Sequence, residues 1–152
     1  MTKTNVMRLL DAAGVHYRTA EYEYDESDLS GRHAAEQLDL PAEQVFKTLV
    51  ARGDKTGPVV FCIPVLDELD LRRAAAVSGN KKVELIHLKE LLPLTGYLRG
   101  GCSPIGMKKN SPPTSTRPAS SSTRSPSAPA RRGKQIILSP DDLISYTAAT
   151  VF

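Results

Sequence analysis

The stretch Pro58 to Val65, PVVFCIPV, is apolar almost without interruption. A strand of that composition belongs in the middle of a sheet with both faces covered. Gln44 to Val50, QVFKTLV, reads as a second strand, because Val45, Phe46, Thr48 and Val50 are β-branched or aromatic. Alternation places Val45, Lys47 and Leu49 on one face and Phe46, Thr48 and Val50 on the other. One lysine is thus in line with two apolar residues on a segment suited to burial. Burying an ammonium is costly unless something anionic meets it. Two readings follow. Lys47 guards a sheet edge or reaches out to water, or it points into a cleft that receives a phosphate or a developing oxyanion.

The 152 residues suffice for one domain with a real core and not for two. Thr4 to Ala13 predicts a helix, Val15 to Tyr24 a strand, Asp25 to Gly31 a polar turn, and His33 to Leu38 a short helix. Pro41 opens a further helical turn. Asp70 to Ala76 predicts a helix stopped at Gly79-Asn80, Val83 to Ile86 a short strand, and His87 to Leu92 a short helix. Thr95 to Gly106 reads as a loop with four glycines and one proline. Gln135 to Leu138 predicts a strand. Ser139-Pro140-Asp141-Asp142 begins a helix with a cap, a proline at the first position and two acids at the positive end. Helices and strands mix without a clean βαβ alternation, which predicts an α+β fold.

No apolar run is long enough to span a membrane. The first fourteen residues are amphipathic and carry acid and base, unlike a signal peptide. Cys62 and Cys102 lack metal-ligand spacing, which predicts a reduced, cytoplasmic protein without a metal or cofactor. No phosphate-binding loop, dinucleotide fingerprint or zinc motif is present. The net charge of +3 would suit a nucleic-acid partner.

Asn110 to Ala130, NSPPTSTRPASSSTRSPSAPA, breaks every surrounding pattern. It has seven serines, five of the eleven prolines, and no Leu, Ile, Val, Met or aromatic residue. The ordinary reading is a disordered insertion or linker. A second reading comes from the genetic code. Serine codons TCN read one base earlier become NTC, which encodes Phe, Leu, Ile or Val, and threonine codons ACN become NAC. With suitable synonymous codons the stretch becomes KFPTYIDETGQLFDTISVSAG, of equal length and with helix and strand patterning. The expectation is a compensated frameshift, with a base lost in the adenine run coding Lys108-Lys109 and regained near Arg131. The written stretch contributes +2 and the shifted one −2, so the total would fall from +3 to −1. The basic balance is then weak evidence for RNA.

DESDLSG, QVFKTLV, ELDLRRAAAVSGNKKVE, LLPLTGYLRGGCSPIGMKK and RRGKQIILSPDDL, in that order, resemble the bacterial YbaK/EbsC-type aminoacyl-tRNA deacylases. These are freestanding relatives of the editing domain inserted in some prolyl-tRNA synthetases. The resemblance covers most of residues 2 to 109 and 131 to 152, and the shifted reading resembles the segment between. It implies one domain in which a mixed, mostly antiparallel sheet curls into a partial barrel with flanking helices. It also implies removal of a mischarged amino acid, typically Cys from tRNA(Pro), in the cytoplasm. The acceptor end of tRNA(Pro) would be the partner, with prolyl-tRNA synthetase as a further one, and neither DNA nor a membrane.

By the same resemblance the lysine of the family's KT motif falls on Lys47, with the role of holding the 3′-terminal phosphate or ribose rather than attacking. Tyr22 falls on the pocket tyrosine, suited to stacking on the terminal adenine, and Ser30-Gly31 on another pocket edge. Gly100, Gly101 and Ser103 fall on a loop whose backbone approaches the aminoacyl ester and presents N–H groups to an oxyanion. Thr95 and Gln135 join the substrate-contacting set. The chemistry implied is substrate-assisted, with the cysteine thiol or a ribose hydroxyl attacking or activating water. Two departures count against a full match. Gln135 stands where some members have aspartate, and Ala128-Pro129-Ala130 puts a proline, which cannot donate to a ladder, beside the pocket.

Each of these residues also has a plainer reading. Tyr22 alternates with Glu21 and Glu23 as an inward strand residue. Gly100, Gly101 and Gly106 serve as turn glycines, and Ser103-Pro104 starts a turn. Cys102 lacks a histidine partner, and His16, His33 and His87 lack triad spacing. A module of the same fold that holds tRNA or a synthetase without chemistry is the alternative function, and an inactive product of the altered segment is a third.

Overall fold

A computed structural model describes residues 3–107, 114–116 and 127–152. The expected α+β character holds: among the described residues five helices of eight residues each pack around two sheets. The α-helices are α1 Asn5–Ala12, α2 Gly31–Leu38, α3 Leu71–Ser78, α4 Leu88–Thr95 and α5 Pro140–Thr147, with a 3-10 turn at Ala42–Gln44. The strands are β1 Arg18–Glu21, β2 Phe46–Gly53, β3 Gly57–Pro64, β4 Val83–Leu85, β5 Thr114–Thr116, β6 Ser127–Arg131, β7 Lys134–Ile137 and β8 Thr150–Val151.

One sheet runs β1-β7-β6 and the other β4-β2-β3-β5-β8. Ladders with β5 are parallel and the remainder antiparallel. A parallel bridge between Val45 and Ser127 links the sheets. Among the described residues neither sheet closes on itself.

The apolar run behaves as its composition requires. Val59, Val60, Phe61, Cys62 and Ile63 are all buried, and β3 lies between β2 and β5. Its hairpin with β2 pairs Lys47 with Ile63 and closes at Gly53 opposite Gly57. Asn80 fixes the turn: its Oδ1 accepts from the N–H groups of Lys55 and Thr56 at 2.9 and 3.0 Å. A Cβ on Gly53 would sit 2.2 Å from the Asn80 side chain, so only glycine fits there.

The helix starts follow their caps. The side-chain oxygens of Thr4, Ser30, Asp70 and Ser139 each accept a first-turn N–H. Two boundaries move. The expected strand from Val15 to Tyr24 shrinks to β1, and beyond it the Tyr22 N–H donates to Gly133 O at 2.9 Å. The helix expected to end at Leu92 runs through Pro93 to Thr95, so the glycine-rich loop starts at Gly96. Pro93 is the sixth residue of α4 and lacks the N–H that would reach back to the preceding turn.

The anomalous stretch lies mostly outside the described residues. Its two described pieces are strands, not linker: β5 pairs with β3, and β6 pairs with β7. Pro129 lies opposite Gln135, and the ladder is irregular between Pro129 and Arg131, as a residue without an N–H would cause.

Candidate active site

A cavity of about 670 Å³ lies between β2, the start of α2, α4 and the Arg99–Cys102 turn. Lys47 lies on its wall, half-buried, with Phe46 and Thr48 on either side. Phe46 packs with Val50, Val60, Cys62 and Cys102, which anchors the strand that carries Lys47. Val45 packs with Ala35 and Val65. Among the described residues the Lys47 ammonium makes no ion pair and no hydrogen bond. A cation held on a packed strand without a partner is suited to receive an anion.

Five further expected residues line the same cavity: Tyr22, Ser30, Gly31, Gly100 and Gln135. Ser30 is the N-cap of α2, its hydroxyl oxygen accepting from His33 N–H at 3.2 Å. The first turn of α2 therefore lies at the cavity, and its partial positive charge adds to that of Lys47. Gly31 has a packing reason to be glycine, because a Cβ there would meet Val65 Cγ1 at 2.2 Å. Gln135 is 2 % exposed, and its Oε1 accepts from the Ser127 hydroxyl at 2.7 Å. Burial raises the Tyr22 hydroxyl above its usual range, opposed by the Gly133 backbone and the Arg132 cation.

Three expected residues do not line the cavity. Thr95 is buried in α4, its hydroxyl donating to Leu91 O at 2.7 Å and accepting from Tyr97 N–H at 3.1 Å. Ser103 is fully buried, and its Oγ accepts from Ile105 N–H at 3.1 Å. A Cβ on Gly101 would stand 2.4 Å from Arg132 N, so this glycine lets the loop close on the β6–β7 hairpin. These residues shape the loop from behind, and Gly100 and Cys102 present it to the cavity.

The sequence reading missed Arg99 and Arg32, two more cations on the lining, and Asp67 and Glu68 opposite. It also missed Leu88 and Leu91, one turn apart on α4. That i, i+3 spacing was the available signal. Cys102 lies on the lining but is 6 % exposed, and burial pushes its thiol up to about 12. Burial likewise pushes Cys62 up to about 12, beside Thr48 Oγ1 at 3.9 Å. Thiols held that far toward the neutral form are poor nucleophiles at neutral pH. Among the described residues no three His, Cys, Asp or Glu side chains gather as a metal site, and no helix is long and apolar enough to cross a membrane.

Comparison with known proteins adds three findings. Residues 30–146 match the model of the aminoacyl-tRNA editing domain. The chain is 47% identical over 145 residues to an Enterococcus faecalis protein provisionally named Cys-tRNA(Pro)/Cys-tRNA(Cys) deacylase EbsC, covering 95% of this chain and 88% of that one. Its fold is similar to a crystal structure described as a trans-editing enzyme for prolyl tRNA synthetase, a provisional assignment, with TM-score 0.83, 23% identity and coverage of 100% and 97%. A hypothetical protein, APE2540, gives the same TM-score at 23% identity over 95% and 94% of the two chains.

Proposed function

The chain belongs to the aminoacyl-tRNA editing domain family, and from that premise we propose that it is a deacylase acting in trans on mischarged tRNA, with Cys-tRNA(Pro) its first substrate. The observation that carries this reading is the convergence of Lys47, Tyr22, Ser30, Gly31, Gly100 and Gln135 on one cavity. Its volume of about 670 Å³ falls in the range of small-molecule sites and suits an aminoacyl-adenosine end.

In this mechanism the Lys47 ammonium and the first turn of α2 hold the 3′-terminal phosphate or ribose. Tyr22 stacks on the terminal adenine. Gly100 brings backbone to the ester, where N–H groups meet the oxygen as it gains charge. The substrate supplies the attack. Its cysteine thiol, or water activated by the ribose hydroxyl, adds to the carbonyl carbon. The C–O bond to the ribose breaks, and the leaving ribose oxygen takes a proton. Positioning then supplies much of the acceleration, which fits a site whose own thiol is held neutral. The tRNA(Pro) acceptor end is the partner on this reading, the cytoplasm the compartment, and prolyl-tRNA synthetase a candidate donor of the tRNA. The two sheets fit a surface curled into a partial barrel beside the cavity.

The test is loss of ester from Cys-tRNA(Pro) and Pro-tRNA(Pro) incubated with the purified protein. The reading expects rapid loss of the Cys ester with the Pro ester spared. Saturable tRNA binding with ester loss at the spontaneous rate would establish the non-catalytic binding module instead.

A further inference from the structure

A second hollow adjoins the cavity, lined by Glu21, Tyr22, Glu23, Tyr24 and the β6–β7 hairpin turn. Tyr22 lines both, so the two meet at this residue. We propose that this hollow holds the nucleotide preceding the terminal adenosine of a single-stranded RNA 3′ end, with its base on Tyr24 and its phosphate at Arg131 and Arg132. The proposal rests on the reading of the cavity as the seat of an aminoacyl-adenosine.

Tyr24 is placed as a stacking platform. Its ring lies over Gly133, with Cδ1 3.1 Å from where a Cβ of residue 133 would sit. Gly133 has φ +79 and therefore also forms the turn, so glycine is required twice over. Tyr24 is nonetheless 47% exposed, one of the few large side chains left open. A ring supported from beneath and open above accepts an unpaired base of any kind.

The cations flank that ring. Arg132 Nε donates to Arg99 O at 2.6 Å, which pins the guanidinium between the glycine loop and the hairpin. Its remaining N–H groups are free in direction to fork onto a phosphate. Arg132 also lies close enough to Tyr22 for its charge to act on the Tyr22 hydroxyl. Arg131 is exposed at the end of β6, next to the turn. Two carboxylates face the same hollow. Glu21 is held by Lys134, Nζ to Oε1 3.5 Å, and Glu23 is exposed to solvent. Three cations against two acids leave a positive balance, set beside an aromatic platform and continuous with the cavity. A peptide would find no apolar pocket here. Every residue of the hollow lies outside the 110–130 stretch.

The experiment measures binding of an uncharged CCA trinucleotide and of adenosine 5′-monophosphate to the whole protein and to Tyr24→Ala, Tyr24→Phe and Arg131→Ala, all with matched thermal melts. Tyr24→Ala should weaken the trinucleotide about tenfold and leave the mononucleotide unchanged, and Tyr24→Phe should restore it. Arg131→Ala should flatten the slope of log affinity against log salt by about 0.7. Unchanged trinucleotide affinity in Tyr24→Ala, equal weakening of both ligands, or no trinucleotide binding by the wild type overturns the subsite. Wild-type deacylation of Cys-tRNA(Pro) separates the two levels. If it persists while the subsite fails, only the subsite is wrong. If it is absent, the reading of the cavity falls as well.

Discussion

Strands β3 and β5 lie side by side in one sheet, are equally buried, and have opposite chemistry. In β3 the run Val59 to Ile63 fills both faces with apolar side chains. In β5, Ser115 and Thr116 are 6% and 3% exposed, yet both are hydroxyl residues. β6 resembles β5, with Ser127, Ala128, Pro129 and Ala130 all buried. The first strand is held by its own apolar surface. The other two are held by hydrogen bonds and by their neighbours: the Thr116 hydroxyl donates to Cys62 O at 3.3 Å, and Ser127 donates to Gln135. The difference teaches that burial at β5 and β6 is imposed by the fold around them. In the shifted reading, positions 115 and 127 become Ile and Val, which such burial favours, whereas position 116 becomes Asp, which it does not.

The contrast can be broken most sharply at β3. Phe61 is fully buried and meets Phe152 edge to face at 6.1 Å. Phe61→Ala should cost about 3–5 kcal/mol, read from the urea midpoint. A loss under about 1 kcal/mol would mean that β3 is not the centre of stability.

Replacing residues 110–130 by KFPTYIDETGQLFDTISVSAG should have the next largest effect, in the opposite direction. Two newly buried aliphatic side chains contribute on the order of 3 kcal/mol, which would raise the melting temperature by roughly 10 °C in a chain of this size. An unchanged or lower melting temperature would show that the hydroxyl-rich strands are native chemistry. Peptide masses across residues 108–133 decide directly which string the protein carries. The smallest effect is expected at Ser127→Ala, which leaves Gln135 Oε1 without its buried donor. A loss of about 1–2 kcal/mol is expected by thermal denaturation, and no loss would mean that the pair does not hold β6.

Much of this molecule was legible because local signals and tertiary demands agree. The apolar run became the central strand, the caps at Thr4, Asp70 and Ser139 became helix starts, and Lys47 became a cavity residue. What escaped depends on contacts between distant segments. Gly31 is glycine because of Val65, and Gly101 because of Arg132, so neither could be told from a turn glycine in sequence. Ser103 shares a loop with Gly100 and Thr95 ends the helix before it, yet both turn inward, a choice of side that no spacing encodes. Tyr22 to Tyr24 continue the alternation of β1, yet leave the ladder where the hairpin turn at Gly133 takes over.

The most direct test of the account is single-turnover deacylation of Cys-tRNA(Pro) by Lys47→Ala beside the wild type, with both shown to melt alike. Removing one charged contact to the substrate corresponds to about 1.5–3 kcal/mol, and the account predicts a rate lower by roughly 10- to 150-fold in the variant. Equal rates would contradict it, because a cation held without a partner on the cavity wall would then have no part in the reaction.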